Sequence, residues 1–412
     1  MIDDNINIDE FDDERLKGKY GYINTKGEII IPLIYDEAHL FFNGLAKVVV
    51  NNKYGFINEK GIVIVPIIYD QVYDFLDRRH TYVSINDKFG LIDNEGNIIT
   101  DIKYDFIQFV ADDIIAVKCD GLYGCIDTSG MVIIPHKYKE IRYSGRDTQY
   151  ILAKQDHLWG VINKNDKIVL YFKFEDIHYA NEDYFFVKQD DKWAYIDHTG
   201  RAITSFKYDH CYNYGFKEGL ATIQINKKCG LIDKNGNEVI PLIYDDVDEI
   251  VQGIVVVCQN DKWGVIDLKG DTLIPIKYDE VYIDYDHHRF FVSLNDKWAL
   301  VDRNHKFIIP FKYDSIDSCS PGFYFVSLNE RYGFIDHAGK VLTTFKYDEQ
   351  EPCLFKLGIA PVNKDWKRGF IDETGNEVIP LIYDDVWNFQ DNGLALVFMF
   401  NENIDELGID NG

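Results

Sequence analysis

The 412-residue chain carries 69 acidic and 43 basic residues, a net charge of −26. That balance argues against nucleic-acid binding, which normally needs a basic face, and against docking on anionic lipid. Aromatics make up 15% (28 Tyr, 27 Phe, 6 Trp) within 46% apolar residues, so a large core is available and strands are favoured over helices.

The opening "MIDDNINIDEFDDERLKGKYGYI" has neither the basic nor the apolar region of a secretion signal, and no apolar window of about 18 residues follows. Seven scattered Cys with no CxxC pair fit a reducing compartment, so the expected location is cytoplasmic. Residues 1–18 read as an acidic N-terminal cap.

From Lys19 one unit recurs eleven times. Its first residue falls at Lys19, Lys53, Lys88, Leu122, Leu158, Lys192, Lys228, Lys262, Lys297, Arg331 and Lys367, in steps of 34 to 36 residues. A Tyr (Phe174 in one copy) stands sixteen residues after each start, from Tyr35 to Tyr383, usually followed by Asp. All length variation therefore lies beyond this Tyr-Asp pair. The locked half behaves as paired strands in fixed register.

Taken in chain order, the unit starts with a strand such as "KWGVID". Its second residue is aromatic in nine copies, with Cys229 and Arg368 in the others, and a Gly follows in nine, with Ala194 and Ala299 in two. Free exchange of Tyr, Phe and Trp marks a packing position. Next comes an Asp or Asn, then Gly three residues later, a pattern for a type I turn with a left-handed exit. Asp166 and His305, which replace that Gly, belong to the residue types that best tolerate positive φ.

The second strand, "DTLIPIKY", carries Pro in seven copies (Pro32, Pro66, Pro135, Pro241, Pro275, Pro310 and Pro380), so it is expected at a sheet edge or broken there. A variable "YDEV" segment follows, with room for one helical turn. A third strand such as "RFFVSLND" then leads through a tight hairpin into the next unit. Residues 401–412 read as a C-terminal cap containing "LGIDNG", a fragment of a twelfth first strand.

The stretches "KWGVIDLKGDTLIPIKYDEV", "KYGFINEKGIVIVPIIYDQV" and "RYGFIDHAGKVLTTFKYDEQ" resemble the bacterial WG-repeat family over residues 19–400. The resemblance implies a β-rich repeat array that serves as a scaffold or protein-binding surface, with no shared catalytic motif. "LWGVINKNDKIVLYFKFEDI" and "WKRGFIDETG" depart from it locally.

Each unit is too small to bury its own aromatics, so neighbours must share a core. Eleven units of three strands exceed the usual four to eight blades of a propeller. The expected fold is all-β: an open, curved β-solenoid or superhelix of eleven three-stranded units, with a closed or partly closed β-propeller as the alternative.

No enzyme signal emerges, and no cofactor is expected. The acid pairs Asp245-Asp246, Asp384-Asp385 and Asp112-Asp113 repeat a turn element rather than face each other across a cleft. The loop "DYDHHRF" offers Asp284, Asp286, His287 and His288, but adjacent histidines of a strand point to opposite faces, so a solvated loop is favoured over a metal site. Cys119 and Cys125 flank a turn and read as small core residues rather than a redox pair. Walker, GxGxxG and GxSxG patterns are missing. Seven lysines precede the Tyr-Asp pair (Lys103, Lys137, Lys173, Lys207, Lys277, Lys312 and Lys346) and read as charge compensation along one face.

Function is therefore expected in the segments that differ: 37–44, 71–81, 140–149, 176–183, 210–219, 246–253, 281–289 and 315–323. The candidate contact residues are Tyr212, Tyr214, Phe216, Tyr282, Asp284, Tyr285, Asp286 and His287. The leading expectation is a non-enzymatic scaffold, monomeric or weakly oligomeric, for a protein partner, basic by charge complementarity. The alternatives are an acidic inhibitor or immunity protein for a basic toxin or nuclease, and a carbohydrate or peptidoglycan-binding array using exposed Trp159, Trp193, Trp263 and Trp298.

Overall fold

A computed structural model describes residues 18–75, 79–111, 113–142, 149–181, 183–209, 215–284, 289–320, 322–348, 354–401 and 404. These residues build eleven small antiparallel sheets, six of four strands and five of three. One sheet serves as the pattern: Asp246–Val251, Ile254–Gln259, Lys262–Asp267 and Thr272–Tyr278, each paired with its neighbour in sequence. A blade thus takes its first two strands from one repeat and its last two from the next. The "YDEV" segment, which had room for one helical turn, supplies a short strand in nine repeats, and eight of the eleven have four strands among the described residues rather than three.

The expected open solenoid is overturned by the chain ends. Gly18–Asn24 pairs with Leu394–Phe400 in unbroken register, from Gly18 opposite Phe400 to Asn24 opposite Leu394. Ile29–Tyr35 and Asp385–Val386 complete that sheet. The first two strands of the first repeat and the last two of the eleventh are complementary halves of one blade, so the sheets close as a ring, an eleven-bladed β-propeller. "LGIDNG", at 407–412, lies outside the described residues, as do residues 1–17 of the N-terminal cap.

Contacts divide the chain into two compact units, Met1–Val83 with Asn94–Asn97 and Asp314–Gly412, and Ser84–Asp93 with Ile98–Tyr313. The first contains the closing blade. In it Tyr22, Phe41, Leu394 and Leu396 share one core cluster, and Ile23, Val397 and Met399 another. In the second unit each cluster likewise joins consecutive repeats, as where Leu220, Leu231 and Tyr244 meet Val247, Val255 and Ile266. All eleven rings of the Tyr-Asp position are buried, between 0% and 7% exposed. Rings of this kind each remove on the order of 150–250 Å² from water. The seven preceding lysines lay their ammonium groups over these rings, Lys277 Nζ at 5.3 Å from the Tyr278 centroid.

The turn residue acts as the sequence implied. Asp372 Oδ1 accepts the N–H groups of Thr374 and Asn376, each at 2.9 Å, and the Thr374 hydroxyl at 2.6 Å. Asn24, Asn58 and Asn163 make the same pair of backbone bonds. The Gly at the turn exit has positive φ in all nine copies that hold it, and Asp166 and His305 adopt φ of 59° and 57° there. The turn into the next repeat uses two residues of positive φ, such as Asn260 and Asp261, the type I′ geometry that matches strand twist.

Three repeats keep the first strand but lose a continuous second one. They are the copies with Thr100, Thr204 and Thr343 and no proline after it. In each, the threonine hydroxyl accepts a first-strand N–H, from Leu91, Tyr195 or Phe334, at 2.9 Å. The eight other second strands, including all seven with Pro, lie at sheet edges as expected. Beside them the small residue of "WG" faces backbone. A Cβ on Gly230 would lie 2.5 Å from the Ile240 carbonyl oxygen, whereas on Gly333, in a threonine copy, the nearest atoms are at 3.3 Å. Ala fills the same slot in one threonine copy, at Ala194, and in one proline copy, at Ala299.

Gly230→Ala should therefore cost about 1–3 kcal/mol through overpacking. Gly333→Ala should be neutral or slightly stabilising, because Ala narrows the unfolded ensemble. Denaturant midpoints of the two variants check this; equal losses would contradict it.

A pH prediction follows from Asp372. Hydrogen bonds from the Thr374 hydroxyl and the two N–H groups hold its carboxyl at about 2, below the ordinary Asp value of 3.8. A depressed folded value gives stability that is complete above pH 4 and is lost as pH falls towards 2. Asp372→Asn keeps the acceptor oxygen, so wild type should melt higher at pH 7 and the gap should close by pH 2. A gap independent of pH would contradict the assignment.

Candidate interaction surface

The register separates each blade into two working ends. At one end Leu45 lies opposite Asn58, so the variable loop entering the third strand sits beside the Asp/Asn turn of the next repeat. At the other, Val50 lies opposite Lys53, where the type I′ turn meets the Tyr-Asp pair.

The second end is built on a clamp. In at least eight repeats the first residue of the unit bonds the Tyr-Asp carboxylate seventeen residues on, as Lys192 bonds Asp209 and Lys367 bonds Asp384, both at 2.6 Å. The second carboxylate oxygen accepts an N–H of the adjoining turn, as Asp245 Oδ2 does from Asn260 at 2.7 Å. The Lys228 bond, then that N–H, hold Asp245 below the usual carboxylate range. Where the unit starts with Leu122 the acid is also gone, replaced by Lys139. Glu175, in the Leu158 copy, keeps the backbone half of the clamp by accepting from the N–H groups of Asp190 and Asp191.

The aromatic slot is likewise structural. Trp159 and Trp193 are buried, and Trp263 and Trp298 are half-buried. A residue of the preceding short-strand segment covers three of these rings. The Arg142 guanidinium lies 3.8 Å from the Trp159 centroid, His178 stacks on Trp193 at 5.2 Å, and Tyr282 stacks on Trp298 at 5.6 Å. Arg368, the polar exception, pairs instead with Asp385.

Of the residues singled out as contacts, Phe216 is buried, its ring 4.9 Å from Tyr184 and 5.3 Å from Tyr195, so it bridges blades from within the core. Tyr282 is about half exposed. Its hydroxyl donates to Glu280 at 2.6 Å, and that bond, then burial, pushes its pKa up to about 12. Asp284 is buried opposite Arg289. Tyr212, Tyr214, Tyr285, Asp286 and His287 lie outside the described residues, as do Asp112, Cys353 and His288. Cys119 faces Leu122 and Cys125 faces Ala116, so the two are not cross-strand partners. Burial, with Asp166 nearby, lifts the Cys125 thiol to about 12.

The paired carboxylates have structural partners. Asp245 and Asp384 serve the clamp, Asp246 accepts the Val247 N–H at 2.8 Å, and Asp385 holds Arg368. Among the described residues no three His, Cys, Asp or Glu side chains converge as metal ligands, and no helix is long and apolar enough to cross a membrane.

The surface also carries apolar residues that the loop reading passed over. Leu40, Phe42, Leu354 and Leu357 are each 43–54% exposed at the variable end of their blades, and Trp366 is 88% exposed in a type I′ turn at the other end. Leu357 stands before a turn Gly at φ 56°, where other repeats place Asn43, Glu218 and Gln252. That mismatch was visible in the alignment of repeats.

Solved structures similar to the chain are remote. A crystal structure of the eukaryotic initiation factor matches at TM-score 0.39 and 12% identity, over 73% of this chain and 94% of that one. PorZ, a surface component of the type-IX secretion system of Porphyromonas gingivalis, matches at TM-score 0.25 and 9% identity, over 90% of this chain and 62% of that one. Kluyveromyces lactis Hsv2 matches at TM-score 0.29 and 12% identity, over 65% and 91%. No curated protein sequence matches the chain. The family model of the WG containing repeat matches eleven times in succession, at 20–54, 54–77, 89–123, 123–156, 159–193, 193–229, 230–263, 263–298, 298–332, 332–365 and 369–401. The chain belongs to the WG-repeat family.

Proposed function

We propose that this chain is a non-enzymatic scaffold that binds a protein partner through the variable loops at one end of its blades. The observation that carries the reading is the division of labour within the repeat. The recurrent polar and aromatic residues are consumed by the clamp, the Asp/Asn turn and the core, as Asp372 and Asp245 illustrate. What remains free to specify a partner is the set of loops that differ between copies, and four half-exposed apolar side chains sit there. Stacked repeats with changing loops form a continuous recognition surface.

The charge of −26 favours a basic partner, and the same charge supports the second reading, an inhibitor of a basic toxin or nuclease. Electrostatic steering would then make association fast and steeply salt-dependent. A carbohydrate platform finds no support, because Trp159 and Trp193 are buried.

The test is quantitative binding of a partner captured from the source cells. One variant carries Gly/Asn/Ser turns in place of loops 37–44, 246–253 and 281–289. A second carries Asp87→Asn, Asp261→Asn and Asp296→Asn at the opposite blade end, and thermal melts verify the fold of both. The loop variant should lose about tenfold or more in affinity while the turn variant keeps it. The reverse result would overturn the reading.

A further inference from the structure

Three loops of the first unit are laced together across the closing blade. The Leu354 N–H donates to Asn388 Oδ1 at 3.2 Å, and Lys356 pairs with Asp391 at 2.6 Å. One loop further on, Gln390 bonds both backbone groups of Phe41, accepting its N–H and donating to its carbonyl, each at 2.7 Å. Asn392 then donates to Glu59 at 2.9 Å. The polar side chains that could have faced water are turned to fixing the loops. The large apolar side chains left outward are Leu354 and Leu357 on one flank and Leu40 and Phe42 on the other. Among the described residues, the other exposed large apolar groups in variable loops are Tyr73 and Tyr282, and both lie against aromatic neighbours, Tyr73 tilted on Tyr82 and Tyr282 stacked on Trp298.

Leu357 adds an independent sign. A leucine at φ 56° is strained, and its exposure wastes apolar surface, where a polar Asn would relieve both. Retaining it there costs stability, and more than half of the side chain still faces solvent.

We propose that this patch, formed by the loops holding Leu40, Phe42, Leu354 and Leu357, docks the apolar face of a basic amphipathic segment of the partner. The inference rests on the scaffold reading and names its site and partner chemistry. The carboxylates beside it are open to solvent, Asp391 90% and Asp74 70% exposed, but each is paired with a lysine, Lys356 or Lys47, so the preference for a basic segment comes from the net charge of −26. A second copy of the chain is disfavoured, since two molecules at −26 repel, and an anionic lipid surface is disfavoured for the same reason. The laced loops are already ordered, so docking avoids much of the cost of fixing them.

The test uses a labelled 18-residue Lys/Leu amphipathic peptide, its Glu/Leu counterpart, and four full-length proteins followed by fluorescence anisotropy and thermal melting. They are wild type, Leu357→Asn, the fourfold variant Leu40→Ser/Phe42→Ser/Leu354→Ser/Leu357→Asn, and Trp366→Asn. The Lys/Leu peptide should bind wild type, and the fourfold variant about tenfold more weakly. Leu357→Asn should melt higher than wild type yet bind more weakly, which separates docking from stability. Trp366→Asn removes the most exposed apolar side chain but at the other blade end, so it should bind like wild type.

Unchanged binding by the fourfold variant overturns the proposal. So does equal weakening by Trp366→Asn, or equal binding of the Glu/Leu peptide, since either means diffuse adsorption. If the patch variants keep the peptide while the loop replacements above still lose the partner, the site is wrong and the scaffold reading stands. If neither set of changes weakens binding, both fail.

Discussion

The pairing of Gly18–Asn24 with Leu394–Phe400 is the constraint on which the architecture depends. Every other blade is completed by the neighbouring repeat, at short range in sequence. This one joins the two ends of the array, and closing a loop of nearly 400 residues costs on the order of 5 kcal/mol in chain entropy. The return is the removal of two open sheet edges, which would otherwise invite pairing with other chains. Closure also places Tyr22 and Ile23 in two separate core clusters together with Leu396 and Val397, so both faces of the joining strand are buried. The N-terminal hairpin is therefore a structural half of the last blade rather than a unit of its own.

Within each blade the same economy applies on a smaller scale. An exposed Lys–Asp pair contributes little by itself, up to about 1 kcal/mol. The carboxylate matters more for its second oxygen, which takes a turn N–H that would otherwise lack a partner. The exceptions show which half is indispensable. Glu175 has no lysine at Leu158, yet it still captures two N–H groups. Where the first residue is Leu122 the acid is gone too, replaced by Lys139, so no carboxylate is left there without its cation.

Much of this was legible from spacing. The sixteen-residue lock, the turn acid and the positive-φ slot at Asp166 and His305 follow from local chemistry that every copy repeats, and the edge proline from chemistry that seven copies share. The fourth strand was not legible because it is short, as in Glu37–Ala38, and lies in the segment where copies disagree. Ring closure was hidden for another reason: it pairs residues with no neighbouring repeat to point at them. A clue existed, since the array opens with a first hairpin lacking a third strand before it and reaches "GLALVFMF", a third strand whose partner is that hairpin. The exchange of proline for Thr100, Thr204 and Thr343 was also readable, but its meaning needed the hydroxyl's bond to the opposite strand. Among the surface residues, aromatic character misled at Phe216, whose ring fills the core, while the plain leucines at 354 and 357 stand outward.

The functional reading depends on closure, because the laced loops of the docking patch come from repeats ten, eleven and one, which adjoin only in a ring. The most direct measurement is disulfide trapping with Tyr20→Cys and Phe398→Cys, residues that face each other across the closing strands. Directly opposed positions of this kind hold their Cβ atoms about 4.5–5.5 Å apart, within reach of a bond after slight adjustment. On mild oxidation the folded monomer should form the 20–398 crosslink in high yield, seen as one linked peptide by mass spectrometry, and should melt at a higher temperature. A folded monomer that forms no such link, while either cysteine alone reacts freely with a thiol reagent, would contradict the closed ring.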